Sequence, residues 1–464
     1  MNFRPPVLRS ATTILDRSLF CQAFPLAAAR VYDSKNLSRY RTELGKSREI
    51  LKLERLLNIR PDPDPEVAAR GGKCVLLAPQ VKPEDPTSWS NLLQEAVKAK
   101  ELKVLPYTLK LDYDYWNYME IMTSILPNDA QGEIPVGFAI VGHIAHLNLR
   151  DEYLPYKKLI AEVLIDKNPR IRTVINKTDG VGNQSEYRTF GYEVLAGPDE
   201  MNVELSEGDC IFKFDYSKVY WNSRLQTEHK RLIDTFKPGE IVVDVMAGIG
   251  PFAIPAGKKK VFVWANDLNP ESYKSMSEGV VRNKVDLFVR TFCQDGRSFI
   301  QHVTNELFQL ERMGQNFVHV PGKSNTRLNQ KQISNSTRDT QIFFPSTPSH
   351  FVMNLPATAI EFCDAFLGLY AGSEEFFYPH TKRLLPKVHV HCFSTKSNDN
   401  VRETVEICER LSKVMGYNML PRFATGDLEE GEVRVWDVRD ISPKKRMFCA
   451  EFRIPQHVAF WTSR

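Results

Sequence analysis

From Gly239 onward the apolar positions fall into short unbroken runs separated by stretches of helical period. Ile241–Val245, Val261–Ala265, Phe288–Phe292, Phe351–Asn354 and Val388–Cys392 are runs of four or five residues bounded by turn residues, and they read as buried parallel strands. Arg224–Phe236, Glu271–Asn283 and Val401–Val414 carry the helical pattern, and Pro238-Gly239 stops the first of them. The alternation predicts an α/β domain. The pattern changes at the end: Val433–Val438 and Met447–Ile454 are strands joined by the basic turn Lys444-Lys445-Arg446, so the sheet ends in an antiparallel hairpin. Residues 301–349, rich in Asn, Gln, Ser and Thr, show little periodicity and predict a mobile surface insertion between two strands.

Upstream the pattern is mixed. Ile50–Leu57 is predicted as an amphipathic helix, Lys73–Leu77 as a strand and Trp89–Ala99 as a helix, with a stiff break at Arg60-Pro61-Asp62-Pro63-Asp64-Pro65. Tyr115–Leu126 and Leu154–Ile165 read as helices. Phe138–His143, Val174–Lys177, Tyr192–Gly197, Val203–Leu205 and Cys210–Phe214 read as strands, and 142–147 as the lead into the second helix. The expected organisation is two smaller α+β modules, 1–110 and 111–216, ahead of the α/β domain at 217–464.

Composition narrows the class. The 464 residues carry a net charge of +4 and 42% hydrophobic residues, ordinary for a globular chain. No apolar run reaches the roughly 20 residues that span a bilayer, so no membrane partner is expected. Charge is unevenly placed: residues 1–60 hold 12 Lys+Arg against 5 Asp+Glu, and residues 61–130 hold 7 against 11. The basic first module suits a phosphate-bearing partner as well as a solvated surface. The eight cysteines form no C-x-x-C pair and fit a reducing compartment. His143 and His146 are placed on one helix face, and His389 and His391 on one strand face; neither pair has a third donor at metal spacing, so no metal is predicted. The acid-free start with Arg4 and Arg9 is faintly like an organelle-targeting segment.

The candidate chemistry sits at strand ends. Asp244 leads into Ala247-Gly248-Ile249-Gly250-Pro251, and Asp267 closes the next strand, the layout of a βαβ half that holds a nucleoside. Gly248 and Gly250 let backbone approach the ligand, Asp267 is assigned to ribose, and Asp244 to shaping the loop. Asp295, with Gly296 beside it, is assigned to the adenine edge. Asn354-Leu355-Pro356 ends the fourth strand, where amino-directed methyltransferases carry Asn-Pro-Pro-aromatic; the middle Pro and the aromatic are missing here. An Asn amide there offers donor and acceptor to a heteroaromatic base. Arg224 and Glu228 stand at i,i+4, a spacing that by itself suggests a surface ion pair. Five parallel strands and a terminal hairpin fit a class I, Rossmann-like methyltransferase sheet better than a dehydrogenase, although Gly248-x-Gly250-x-x-Ala253 satisfies the dinucleotide pattern formally.

Together these stretches resemble the archaeal and eukaryotic tRNA (guanine-37-N1) methyltransferases. The resemblance is carried by SEYRTFGYEVLAG (185–197), FDYSKVYWNSRLQTEH (214–229), DVMAGIGPFAIPAGKK (244–259), ANDLNPES (265–272) and MNLPATAIEF (353–362), with LDRSLFCQAFPLAAARV (15–31) near the start. It implies S-adenosylmethionine as cofactor and methylation of N1 of guanosine 37 in tRNA, also the first step towards wybutosine. It implies Glu228 as the base that takes the N1 proton, Arg188 as the stabiliser of charge on O6, Tyr220 packing near the base, and Asn354 and Pro356 positioning it. His229 (often Arg in the family), Asp267, Leu268, Asp295, Gly296 and Asn354 would line the cofactor pocket. It further implies a monomer that serves tRNA in the cytoplasm, mitochondrial matrix and nucleus. The open alternatives are a nicotinamide oxidoreductase, a methyltransferase of non-RNA substrates, and a tRNA-binding protein without activity.

Overall fold

The computed structural model describes residues 2–9, 14–135, 137–178, 187, 189–320 and 340–462. Contacts divide the chain into two units: Met1–Phe138, Leu147–Asn176 and Val194–Pro198 form one, and Ala139–His146, Lys177–Glu193 and Asp199–Arg464 the other.

The first unit holds an antiparallel sheet in the order Ile59–Pro61, Lys73–Leu76, Gln22–Val31, Leu102–Leu111. Ala27, Ala29 and Val31 alternate inward from the long strand and pack with Tyr40, Leu44, Val75 and Leu93. The helix expected at Ile50–Leu57 is absent. Ile50 forms a bridge with Leu77, and Leu51 N–H donates to Leu76 O at 3.0 Å, so the apolar residues there finish a sheet edge. The helix lies earlier, at Leu37–Lys46. Short apolar clusters cannot distinguish the two outcomes by period alone.

The second unit is built on an eight-stranded sheet. Its order is Val289–Phe292, Phe262–Asn266, Ile241–Asp244, His350–Met353, Lys387–Thr395, Lys445–Arg453, Glu432–Ser442, Leu420–Pro421. The first five are mutually parallel, and the next two run antiparallel as the predicted hairpin. Chain order reverses between Ile241–Asp244 and His350–Met353, a switch point that opens a crevice at the carboxyl ends of the strands. One face of the sheet buries Ile241, Val243, Trp264, Phe351, Val388 and Phe448 with Phe299, Val303 and Leu307 from the helix Gly296–Arg312.

That helix corrects the expected start of the insertion. Phe299, Ile300, Val303, Leu307 and Phe308 keep helical period straight through position 301, and the Gln, Asn and Thr among them do not break it. A small antiparallel pair, Phe317–Val320 with Thr340–Phe343, follows. Residues 321–339, the middle of the predicted insertion, lie outside the described residues. The lead into a helix expected at 142–147 is also corrected. Ala139–Val141 and Ile144–Leu147 pair as a hairpin, so His143 and His146 share no helix face, and His146 Nδ1 instead meets the Tyr216 hydroxyl at 2.9 Å.

Candidate functional site: a nucleoside cleft beside a buried carboxylate

The crevice is a partly open cleft at the end of Ile241–Asp244. The chain leaves that strand through Val245–Pro251 and enters the helix Ala253–Lys258. Gly248 and Gly250 have φ of +58° and +89°, conformations that a side chain disfavours. A Cβ at Gly250 would also press on Ile254 at 3.0 Å. The loop is tied down by Ala247 N–H donating to Asn266 O at 2.7 Å and by Gly248 N–H donating to Asp267 Oδ2 at 2.7 Å. The other Asp267 oxygen accepts from Asn269 N–H at 3.0 Å. Burial pushes the Asp267 pKa up, against the pull of the Asn269 and Gly248 N–H groups and the Ser272 hydroxyl. Each carboxylate oxygen has a second lone pair, so Asp267 retains capacity for a ligand hydroxyl.

Of the residues singled out from sequence, Tyr220, His229, Gly248, Asp267, Leu268 and Asn354 line the cleft. Asn354 comes from the end of the fourth parallel strand, and its side-chain oxygen is buried with no hydrogen-bond partner among the described residues. Trp221 Nε1, also in the lining, is a buried donor in the same state. Two such orphans on residues that line one cleft fit a polar ligand that supplies their partners. The glycine loop, the Asp267 carboxylate and the apolar wall of Leu225, Ile249, Phe252 and Leu355 fit a nucleoside. These residues therefore fit the S-adenosylmethionine that the sequence implies.

Several expected residues stand elsewhere. Asp244 lies beneath the loop, fully buried, and neither oxygen makes a hydrogen bond of normal geometry among the described residues. Burial and the neighbouring Asp267 charge push its pKa well above the usual carboxylate value, opposed by the Met246 backbone N–H. Gly250 and Pro356 adjoin the cleft without lining it, and Pro356 O accepts from Phe393 N–H at 3.1 Å, pinning the Asn354 turn to the next strand. Asp295 is exposed and caps the helix Gly296–Arg312, accepting from Arg297 N–H at 3.0 Å and Ser298 N–H at 3.1 Å. Gly296 is buried where a Cβ would meet Phe362 and Val245 at 3.2 Å, a packing demand. Neither Asp295 nor Gly296 reaches the cleft lining. Arg188 lies outside the described residues; Tyr187 beside it lines the cleft.

Glu228 shows the largest departure from the spacing argument. It pairs with Arg231, not Arg224, through two bonds of 2.7 Å; Glu228 is buried and Arg231 half-buried. His391 Nε2 adds a third contact at 2.8 Å. Burial pushes the Glu228 pKa up, but the bonds from Arg231 and His391 and their charges outweigh it and hold the value at about 2. Glu228 itself does not line the cleft; the next residue, His229, does, with Nδ1 2.5 Å from Glu207 Oε1 and its ring edge-on to Phe252 at 4.7 Å. Sequence reasoning missed Arg231, Trp221 and Phe252, and placed His391 on the right strand face without seeing its partner. The signal for Arg231 was its i+3 spacing from Glu228.

A group of basic residues lies near Tyr220 and His146. Lys177 sits 4.0 Å from the Phe190 ring centroid, and burial lowers its pKa to about 8. Burial, with Lys177 and Arg224 nearby, lowers His146 to about 4. Arg439 is pushed down by burial and by the Arg224 charge, while Tyr220 acts in the other direction. Among the described residues, none of Lys177, Arg224 and Arg439 has a carboxylate partner.

Residues 204–321 match the TRM5/TYW2 methyltransferase domain family and residues 118–200 the TYW2 N-terminal domain family. The chain is 54% identical over 459 residues to the tRNA (guanine(37)-N(1))-methyltransferase of Fusarium vanettenii, covering 99% of this chain and 97% of that one. It is 42% identical to the Schizosaccharomyces pombe protein of the same name, covering 96% and 94%. Among solved structures it resembles aTrm5 in complex with tRNALeu, with a TM-score of 0.58, 18% identity and coverage of 92% and 99%. It also resembles wild-type Trm5b of Pyrococcus abyssi, with a TM-score of 0.54, 20% identity and coverage of 93% and 99%. Those two structures support the fold.

Proposed function

The chain belongs to the tRNA (guanine(37)-N(1))-methyltransferase family and transfers a methyl group to N1 of guanosine 37, and on that premise we propose which residues carry the transfer. The two rival enzyme readings, a nicotinamide oxidoreductase and a methyltransferase of non-RNA substrates, are set aside by that membership.

S-adenosylmethionine, when bound, supplies a methyl group activated on a sulfonium. The Gly248–Gly250 loop and Asp267 hold the nucleoside part, with Leu268 and His229 as walls. Asn354 positions guanine. Its unpaired, buried Oδ1 at the strand end beside the glycine loop is the observation that carries this reading, because the guanine N–H edge offers the donors it lacks. Tyr220, 40% exposed at the cleft mouth, packs against the base. Glu228 takes the N1 proton and Arg188 balances the charge that then develops on O6. Lys177, Arg224 and Arg439, without carboxylate partners among the described residues, support RNA as the substrate, because phosphates are the counterions such a group lacks.

The test is incubation of undermodified tRNA with methyl-labelled S-adenosylmethionine, followed by nucleoside analysis. Label is expected in N1-methylguanosine, and its absence there would sink the reading. The basic stretch at residues 1–60 is assigned to tRNA phosphates away from the site, and the protein to a monomer acting in cytoplasm, mitochondrial matrix and nucleus. Fractionation and light scattering check those assignments.

A further inference from the structure

A carboxylate is a useful base only while ionised, and burial works against ionisation. Glu228 is 5% exposed, on a helix packed over the strands that carry His391 and Cys449. The Arg231 guanidinium makes a two-bond fork with it, Nε to one oxygen and Nη2 to the other, both at 2.7 Å. His391 Nε2 meets the second of those oxygens at 2.8 Å from a fully buried position. The far side of Arg231 is held as well: its guanidinium carbon lies 4.8 Å from the Trp436 ring centroid. Glu228, His391 and Cys449 together present an O, N, S donor set within 4.8 Å, the donor types zinc takes. Here the cationic place beside the carboxylate is filled by the guanidinium, and burial keeps the Cys449 thiol protonated. The charged and titratable groups facing Glu228 are therefore Arg231 on its own helix and His391 and Cys449 from the sheet.

We propose that Arg231 and His391 are positioning residues for the methyl transfer: they keep the buried Glu228 carboxylate ionised and orient it, so that it is ready to accept the guanine N1 proton at physiological pH. This rests on the assignment of Glu228 as the base. When the N1–H bond breaks, its electrons stay on guanine and the proton goes to a Glu228 oxygen; the positive charge of Arg231 then loses its anionic partner. The arrangement trades base strength for availability. A buried Glu without these partners would be a stronger base but largely protonated in the working range.

The test is the pH dependence of single-turnover methylation, measured on the full chain with undermodified tRNA. Arg231→Gln and His391→Leu are expected to move the acid limb of the profile upward by several pH units, from about 2 towards roughly 7, where a buried carboxyl without a cationic partner titrates. Near pH 6 the loss should be tenfold or greater, and activity should recover at pH 8.5 to 9. Arg231→Lys and His391→Gln, which keep a donor, should fall between these variants and wild type. Difference infrared spectra at pH 6 give a readout apart from activity. A protonated carboxyl band should be present in Arg231→Gln, absent in wild type, and lost again in Arg231→Gln combined with Glu228→Gln. S-adenosylmethionine binding confirms that each variant folds; should Arg231→Gln fail to fold, Arg231→Lys and His391→Gln decide. A wild-type pH profile in the folded variants overturns the inference, whatever the change in rate. Glu228→Gln run alongside separates the two ideas. If it methylates normally the base assignment fails, whereas if it is inactive while the Arg231 and His391 variants keep the wild-type profile, only this inference fails.

Discussion

Two groups of buried carboxyls, close in sequence and carried by the same unit, are driven in opposite directions. Asp244 and Asp267, under the glycine loop, have backbone N–H groups and one hydroxyl for company and no cation, and burial raises both. Glu228, also buried, has a guanidinium and an imidazole and is held at about 2. Burial alone predicts the same behaviour for all three. The neighbours decide it, so the loop end of the sheet is a place where a cationic ligand finds uncompensated acid, while the Glu228 site supplies its own counterion.

Replacing Glu228 tests this contrast most severely. Glu228→Ala is expected to lower kcat by roughly 10²–10⁴-fold, the span a general base contributes, while S-adenosylmethionine binding survives. Normal turnover from pH 6 to 8 would show that the ionised carboxylate is not the base. Next, Asp267→Asn should weaken S-adenosylmethionine binding by about 10- to 100-fold, the cost of losing a charged hydrogen-bond acceptor, with the fold intact. Calorimetric titration reads it, and unchanged affinity would mean that the loop acid does not face the ligand.

Stability against pH sharpens the contrast through its sign. The Glu228 pKa is depressed in the folded protein, so its contribution, about 3 kcal/mol, is present above the unfolded value near 4.5 and is lost as pH falls towards 2. Asp244 is raised, so its contribution is present below the unfolded value near 3.8 and is lost as pH rises through the folded value. Denaturant titrations of Glu228→Gln should show a flattened acid limb, and those of Asp244→Asn a change of opposite slope. The smallest effect expected is Asp244→Asn at neutral pH. The upward shift favours the protonated carboxyl, which an amide matches in shape, so stability is expected to change by less than about 1 kcal/mol. A large loss would mean that Asp244 is charged.

The strand runs Ile241–Val245, Val261–Ala265 and Val388–Cys392, the terminal hairpin, and the glycine turn and Asp267 at adjacent strand ends were all legible in advance, because each is expressed within a few residues by period, turn chemistry or strand-end position. The same local logic failed at Ile50–Leu57, where apolar residues at helical spacing complete a sheet edge. It failed at residue 301 because polar side chains on the outer face of a helix hid its buried stripe.

What the order of residues settled, then, is the parallel sheet, the glycine turn at its strand end, and the family that acts on guanosine 37. These follow from short-range patterns and from stretches whose combination is specific. What the tertiary structure alone decided is the electrostatic state of each acid. Glu228 meets His391 across 163 positions of chain and trades the expected Arg224 for Arg231, while Asp244 is left without a counterion a few residues from a well-paired turn. A pKa is set by whatever lies within a few ångströms in a dry interior, and that company is assembled only when the helix Gln226–Thr235 packs on the sheet.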